Sequence, residues 1–355
     1  KRYHWFNKNV GKDVYTERLK KYMSSRKLIR EIKEKFTEFQ TSIPVKYYHG
    51  FQIENSYGDY IENCKRVRNA FNCKDNKDTA YMQDAWLQTE DCLDCTEIII
   101  GQLSYEIQGV DTPHRSIVAR SCPDSITDSY YCDMCFGVQN CFGCFGLKRN
   151  QYCILNKQYL KKDYLILKEK IIEHMLKTKE WGEYFPASVS PFAYNESMAQ
   201  DYFPLTKEEA IKKGYTWYDH PVREYEATMQ TSDLPETFTD TKEDITKEVI
   251  QCSSQNSQES ISKYPLCTTA FNITPLELAL YKILNIPIPD KCFPCRRQDR
   301  FTLRNPRKLW HRVCMCEKQS HFHGAGKCEV EFETSYAPDR PEIVYCEKCY
   351  QQEVY

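Results

Sequence analysis

Apolar residues first recur at helical spacing over residues 16–39. Leu19, Tyr22, Met23, Ile29, Ile32, Phe36 and Phe39 alternate there with Lys, Arg and Glu, which predicts an amphipathic helix with a basic outer face. The pattern changes over 52–159. "DYIENCKRVRNAFNCKDNKDTAYM" carries apolar or Cys positions in short hops, broken by Asn and Asp. Cys64 and Cys73 are nine residues apart, as are Cys132 and Cys141, and Cys135, Cys144 and Cys153. Asn-Cys recurs at 63–64, 72–73 and 140–141. Short strands with polar corners at a fixed recurrence predict a β-solenoid, in which coils stack and equivalent side chains form ladders. A helical pattern returns over 160–182 and stops near Gly182, placing a helix over the open edge of the last coil. An aromatic, Pro-punctuated arm follows, and then a short helix with a Thr206/Glu209 capping box and a Gly214 stop. Residues 219–262 are acidic and rich in Ser, Thr and Gln; they read as an exposed connector, with 253–263 expected to be mobile. The fold class is therefore mixed α and β: a basic helical segment (1–51), a Cys-rich β-solenoid (52–159), a helical cap and arm (160–218), an acidic connector (219–251) and a double zinc-ribbon module (252–355).

Composition sharpens this picture at three points. The chain has 19 cysteines, an odd number in 355 residues. Disulfide scaffolds are shorter and even-numbered, so reduced thiols, metal and a cytoplasm-like compartment are expected. No apolar run reaches the roughly 18 residues a membrane span needs. Net charge is −1, but it is segregated: residues 1–35 and 291–312 are basic, and 219–248 is acidic. Such blocks point to charged partners or to contacts between segments.

Cys132, Cys135, Cys141 and Cys144 admit two readings. They are either one C-x2-C-x5-C-x2-C metal site or stacked core thiols. The nine-residue offset runs on to Cys153, which a metal site would not need, so the ladder is preferred; Cys92 and Cys95 are read the same way. The last hundred residues carry a more specific signal. Cys292-Phe-Pro-Cys295 and Cys346-Glu-Lys-Cys349 are thiolate knuckles, and each needs two further ligands because structural zinc is tetrahedral and closed. Cys252 and Cys267 are the upstream partners of the first, separated from it by a helix that Thr274, Pro275 and Glu277 begin. For the second, Cys316 and Cys328 are expected, with Cys314 as the substitute for Cys316; His321 and His323 are an alternative source of ligands, but the reading as exposed loop residues is preferred. Two structural zinc ions follow. Between the knuckles, Arg296, Arg297, Arg300, Arg304, Arg307, Lys308 and Arg312 are interleaved with Phe301 and Trp310, with Asp299 the sole acid. Arginines and aromatics on a rigid module suit phosphates and unpaired bases. Alternatively, these cations neutralise the acidic stretch or "YAPDRPE".

"NCFGCFGLKRNQYCILNKQY", "GEYFPASVSPFAYNES", "YFPLTKEEAIKKGY" and "TSYAPDRPEIVYCEKCYQQEVY" resemble a group of uncharacterised cysteine-rich zinc-ribbon and β-solenoid repeat proteins of ultra-small, candidate-phyla bacteria. The resemblance runs from about residue 54 to the end. It implies ligands at Cys292, Cys295, Cys346 and Cys349 and supports pairing Cys252 with Cys267. The ribbon that precedes the repeats in that group is absent here, and residues 1–50 depart from the pattern. The resemblance implies no particular activity. No Ser-His-Asp set, phosphate loop, dinucleotide fingerprint or H-E-x-x-H is present. The expected function is non-enzymatic: a cytoplasmic zinc protein that binds RNA or a ribonucleoprotein such as the ribosome. A protein–protein scaffold is the competing reading, and an enzyme the third.

Overall fold

Every third residue of the central region bends the backbone the same way. Tyr60, Asn63, Arg66, Asn69, Asn72, Asp75, Asp78, Tyr81 and Asp84 all have positive φ, and the residue after each (Ile61, Cys64, Val67, Ala70, Cys73, Asn76, Thr79, Met82 and Ala85) is buried. Asn and Asp tolerate this left-handed conformation better than other non-glycine residues, which explains their frequency at the corners. Three-residue sides, each turning one side chain inward, build a β-solenoid of about nine turns. The structure, a computed structural model, describes residues 2–221, 225–255 and 266–354. Residues 256–263 of the stretch expected to be mobile, and Glu224 of the acidic stretch, lie outside the described residues.

The strands pair in parallel from Gly50–Glu54 to Gln151–Ile154, and a final antiparallel strand, Lys157–Gln158, ends the stack. The rungs correct the nine-residue period. Val67 pairs with Thr79, Cys95 with Ile107, Ala119 with Cys132 and Cys141 with Cys153, so a coil takes twelve or thirteen residues here. Nine residues is three sides of a four-sided coil. The spacing of the cysteines therefore reflects sides, and the stacking lies one side further on.

Four columns fill the interior. One contains Met82, Cys95, Ile107, Ala119 and Cys132; another contains Ala85, Ile98, Val110 and Cys122. A third contains Ser104, Ser116, Ser129 and Cys141, and a fourth runs through Ile126 and Val138. Each of the ten solenoid thiols donates to the carbonyl two residues before it, at 3.2–3.6 Å. The hydroxyls of Ser104, Ser116 and Ser129 do the same and also accept the N–H one coil later. Buried thiols hydrogen-bonded to backbone carbonyls are packing groups. Among the described residues, Cys132, Cys135, Cys141 and Cys144 form no metal-ligand set. Cys141→Ser should therefore keep stability within about 1 kcal/mol of the parent, because the hydroxyl finds the same carbonyl. Cys141→Leu should cost ~1–3 kcal/mol by overpacking. Urea denaturation checks both, and a serine variant as damaging as the leucine variant would refute this account of the thiols.

Outside, corners stack as ion pairs between adjacent coils, Arg66 with Asp78 and Arg115 with Asp128, and Arg120 pairs with Asp133 beside the corners Ser121 and Met134. The helix Lys161–Thr178 lies over the last coils, as expected from sequence. Its Tyr164 is buried with Phe142 and Ile154, beneath Tyr130, Tyr131 and Trp181.

The chain forms two compact units. One comprises Lys1–Pro44, Asp219–Asn305 and Pro341–Ile343; the other comprises Val45–Tyr218, Pro306–Arg340 and Val344–Tyr355 and contains the solenoid. In the first unit the single helix expected over 16–39 is two, Lys12–Met23 and Arg26–Ser42. Ser25 adopts an extended conformation and its hydroxyl accepts the Leu28 N–H, so it starts a new helix. The acidic stretch is more than a connector. Glu236 receives the Ser25 hydroxyl and the Lys27 N–H at that helix start, and Leu234, Ile245 and Ile250 join Ile273, Tyr281 and Ile288 in the core. Arg26 donates to the carbonyls of Pro235 and Ile288, and Arg30 pairs with Asp290. No helix among the described residues is long and apolar enough to cross a membrane.

Candidate metal centres

Two hairpins and two helix starts assemble the terminal cysteines. In the first unit, strands Ile250–Gln251 and Ala270–Phe271 pair antiparallel, and the Cys252 N–H donates to the Thr269 carbonyl. This holds Cys252 beside Cys267. Cys292 caps the helix Phe293–Thr302, and Cys295 lies in its first turn. The positive end of the helix dipole there favours thiolate. The four sulfurs come together as expected: Cys252 to Cys295 is 3.9 Å, Cys267 to Cys292 3.8 Å and Cys292 to Cys295 3.4 Å. Four thiolates about 2.3 Å from a tetrahedral ion would be ~3.8 Å apart, so the set fits such an ion with little movement. Backbone N–H groups of Cys292 and Thr269 donate to the Cys252 and Cys267 sulfurs, which orients and stabilises charged ligands.

The second unit repeats the construction. Strands Trp310–Val313 and Glu331–Thr334 pair antiparallel, the Cys314 N–H donates to Val330, and the helix Glu347–Val354 starts between Cys346 and Cys349. The set formed is Cys314, Cys328, Cys346 and Cys349, all buried. Cys328 and Cys346 are 4.0 Å apart, and the Cys346 N–H donates to the Cys314 sulfur at 3.2 Å. Cys314 thus stands where the sequence reading placed Cys316. Cys314 continues the last rung of the hairpin and so faces the knuckle. Cys316 lies two residues further on, where its carbonyl receives the Cys328 N–H. Cys316 groups instead with His321, His323 and Cys349. His321 is only 7% exposed, so it is not the exposed loop residue expected from sequence.

This second centre sits against the first coil. Thr334 donates to the Tyr47 carbonyl at 2.6 Å, and Ser335 donates to the carboxylate of Asp59. Asp59 also receives the His49 N–H at 2.7 Å and lies 2.9 Å from the His49 ring. Burial pushes the Asp59 carboxyl up, but the hydrogen bonds from His49 and Ser335 outweigh it and hold the group below its ordinary value. The solenoid is therefore closed at one end by a helix and at the other by the hairpin that leads into the second cysteine set.

The expected nucleic-acid residues are dispersed. The boundary between the units falls after Asn305, inside the basic segment. Arg296 lies by Glu277 and the Tyr281 hydroxyl, Arg307 pairs with Asp84, and Arg312 donates to the carbonyls of Tyr336 and Ala337. Lys308 lies over Trp310. Arg297 and Arg304 flank Phe301 at 4.3 and 4.7 Å from its ring centre, and Arg300 is exposed on the same helix. Comparison with family models, curated proteins and solved structures gives no match.

Proposed function

We propose that this is a non-enzymatic, zinc-stabilised binding protein that engages RNA or a ribonucleoprotein through the basic helix beside its first cysteine set. Two all-thiolate sets, buried except for the half-buried Cys267, carry the non-enzymatic part: four protein ligands leave no coordination position for a substrate, which is the mark of a structural site. Zinc suits tetrahedral sulfur ligation best, though an iron–sulfur centre uses the same donors. The RNA reading is supported by the Arg297–Phe301–Arg304 stack, with Arg300 exposed beside it and the helix start fixed at Cys292. Guanidinium groups grip phosphate, and aromatic rings stack on unpaired bases.

The test is the triple variant Arg297→Glu, Arg300→Glu and Arg304→Glu, which spares Arg307 because that side chain holds the fold. RNA affinity at moderate salt should fall at least about tenfold, and the log–log salt slope should flatten by ~2, near 0.7 per single-strand phosphate contact. Metal content should not change. Undiminished association with RNA would remove this surface from consideration. A partner retained after nuclease treatment would favour the protein scaffold.

A further inference from the structure

Eight coordination positions for seven side chains require one shared ligand. Cys349 belongs to both the set with Cys314, Cys328 and Cys346 and the set with Cys316, His321 and His323, and within each set all four ligand atoms lie within 4.8 Å of one another. We propose that the second unit holds two metal ions side by side, bridged by the Cys349 thiolate, so that the chain binds three ions. The inference rests on the reading of these cysteines as metal ligands.

The histidines carry it. The Cys316 sulfur is 3.1 Å from His321 Nδ1, which is closer than two ligands of one ion need to be and places both on a common centre. The other ring nitrogen of His321, Nε2, faces the Glu353 carboxylate at 3.5 Å. A carboxylate behind a histidine fixes the tautomer that leaves Nδ1 free to ligate. Glu353 is itself held by Lys318. Both ring nitrogens of His323 are buried without a hydrogen-bond partner. An imidazole stripped of water at both nitrogens is costly unless one of them finds an acceptor or an ion. The loop that returns the chain from His323 to Cys328 turns at Gly324 and Gly326, with φ of +71° and +99°, conformations that glycine takes without strain. Cys349 lies in the first turn of Glu347–Val354 and belongs to both donor sets. Its sulfur lies within 4.8 Å of those of Cys328 and Cys346 in one set and of Cys316 in the other. A thiolate keeps lone pairs for a second ion after binding the first, whereas a ligating imidazole nitrogen does not. Cys349 is therefore the residue that can be shared.

Cobalt(II) titration of the full chain, read by metal analysis and by the magnetic signal of the bound ions, tests the proposal. Three cobalt ions should bind per chain, and the third should lower the paramagnetic signal per ion, because a shared thiolate couples the two spins. His323→Ala should reduce the count from three to two and abolish the coupling. His323→Cys, which restores a ligand, should return both, and this separates a ligating role from a structural one. Two ions in the parent chain with no coupling, and no change in His323→Ala, would overturn the shared centre while leaving two tetrathiolate sites standing. No tightly bound ion at all would instead overturn the metal reading on which the inference rests.

Discussion

Stripping metal from the folded chain is expected to release the C-terminal hairpin and, with it, the start of the solenoid. Structural zinc contributes about 10–16 kcal/mol of apparent binding energy in small domains, as much as the whole stability of a typical fold. The strands Trp310–Val313 and Glu331–Thr334 are short, and of their side chains only Phe332 and Thr334 are buried. Without their ligands they have too little core to persist. Thr334 and Ser335 would then release the Tyr47 carbonyl and one oxygen of the Asp59 carboxylate, whose other oxygen keeps its hydrogen bonds from His49. A solenoid is stabilised coil against coil, so damage at one end need not reach the other. After chelation, Trp310 fluorescence should shift and amide exchange should accelerate over 50–64, while 138–154, under the capping helix, stays protected. Unchanged Trp310 emission and unchanged exchange, with metal loss verified by mass spectrometry, would sink this account.

Arg307→Ala should be the most damaging single substitution in the basic segment, at ~2–4 kcal/mol. Its guanidinium donates to Gln83 Oε1 at 2.7 Å and reaches both carboxylate oxygens of Asp84, at 3.0 and 2.7 Å. It also lies 3.9 Å from the ring centre of Tyr202, and its side chain is only 8% exposed. Truncation removes the stacking and leaves Asp84 to the side-chain amide of Asn72, which donates to its Oδ1. Arg307→Lys should recover only part of the loss, because an ammonium cannot make the forked contact or stack flat on a ring. The midpoint of urea unfolding measures both. A shift worth less than about 0.5 kcal/mol for the alanine variant would place Arg307 among ordinary surface cations.

The solenoid was legible in the recurrence of Cys and Asn, but its period was not. Asn63, Asn72 and Asn140 stand out because each is a left-handed corner before a buried cysteine. The corners between them are filled by Arg66, Asn69, Asp75 and Asp78, residue types that repeat too loosely for the three-residue side to show. The first cysteine set was legible because Cys252 and Cys267 were the available upstream thiols for the Cys292 knuckle. At the second, thiols two residues apart were read as competitors for one ion. Cys314 and Cys316 instead enter different sets, and no spacing rule reveals that, because it depends on where the hairpin ends. His321 and His323 were passed over as ligands for a related reason: "EKQSHFHGAG" has the composition of a solvated loop, and most of it is exposed, but His321 is buried within it. The stacking of Arg307 on Tyr202 joins residues about a hundred positions apart and left no local trace.

The four-sided coil also restricts how the gene can change. Adding or deleting three codons in the repeat region would rotate every later column by one side: inward residues stay inward, but each is set against a residue of a different column. Adding a whole coil, roughly 36 nucleotides, restores every column and displaces the far end by one strand spacing, ~4.8 Å. With both ends occupied by dedicated closures, growth is confined to the interior of the stack. The protein is then a graduated spacer whose reach can be reset by duplication alone, one rung at a time.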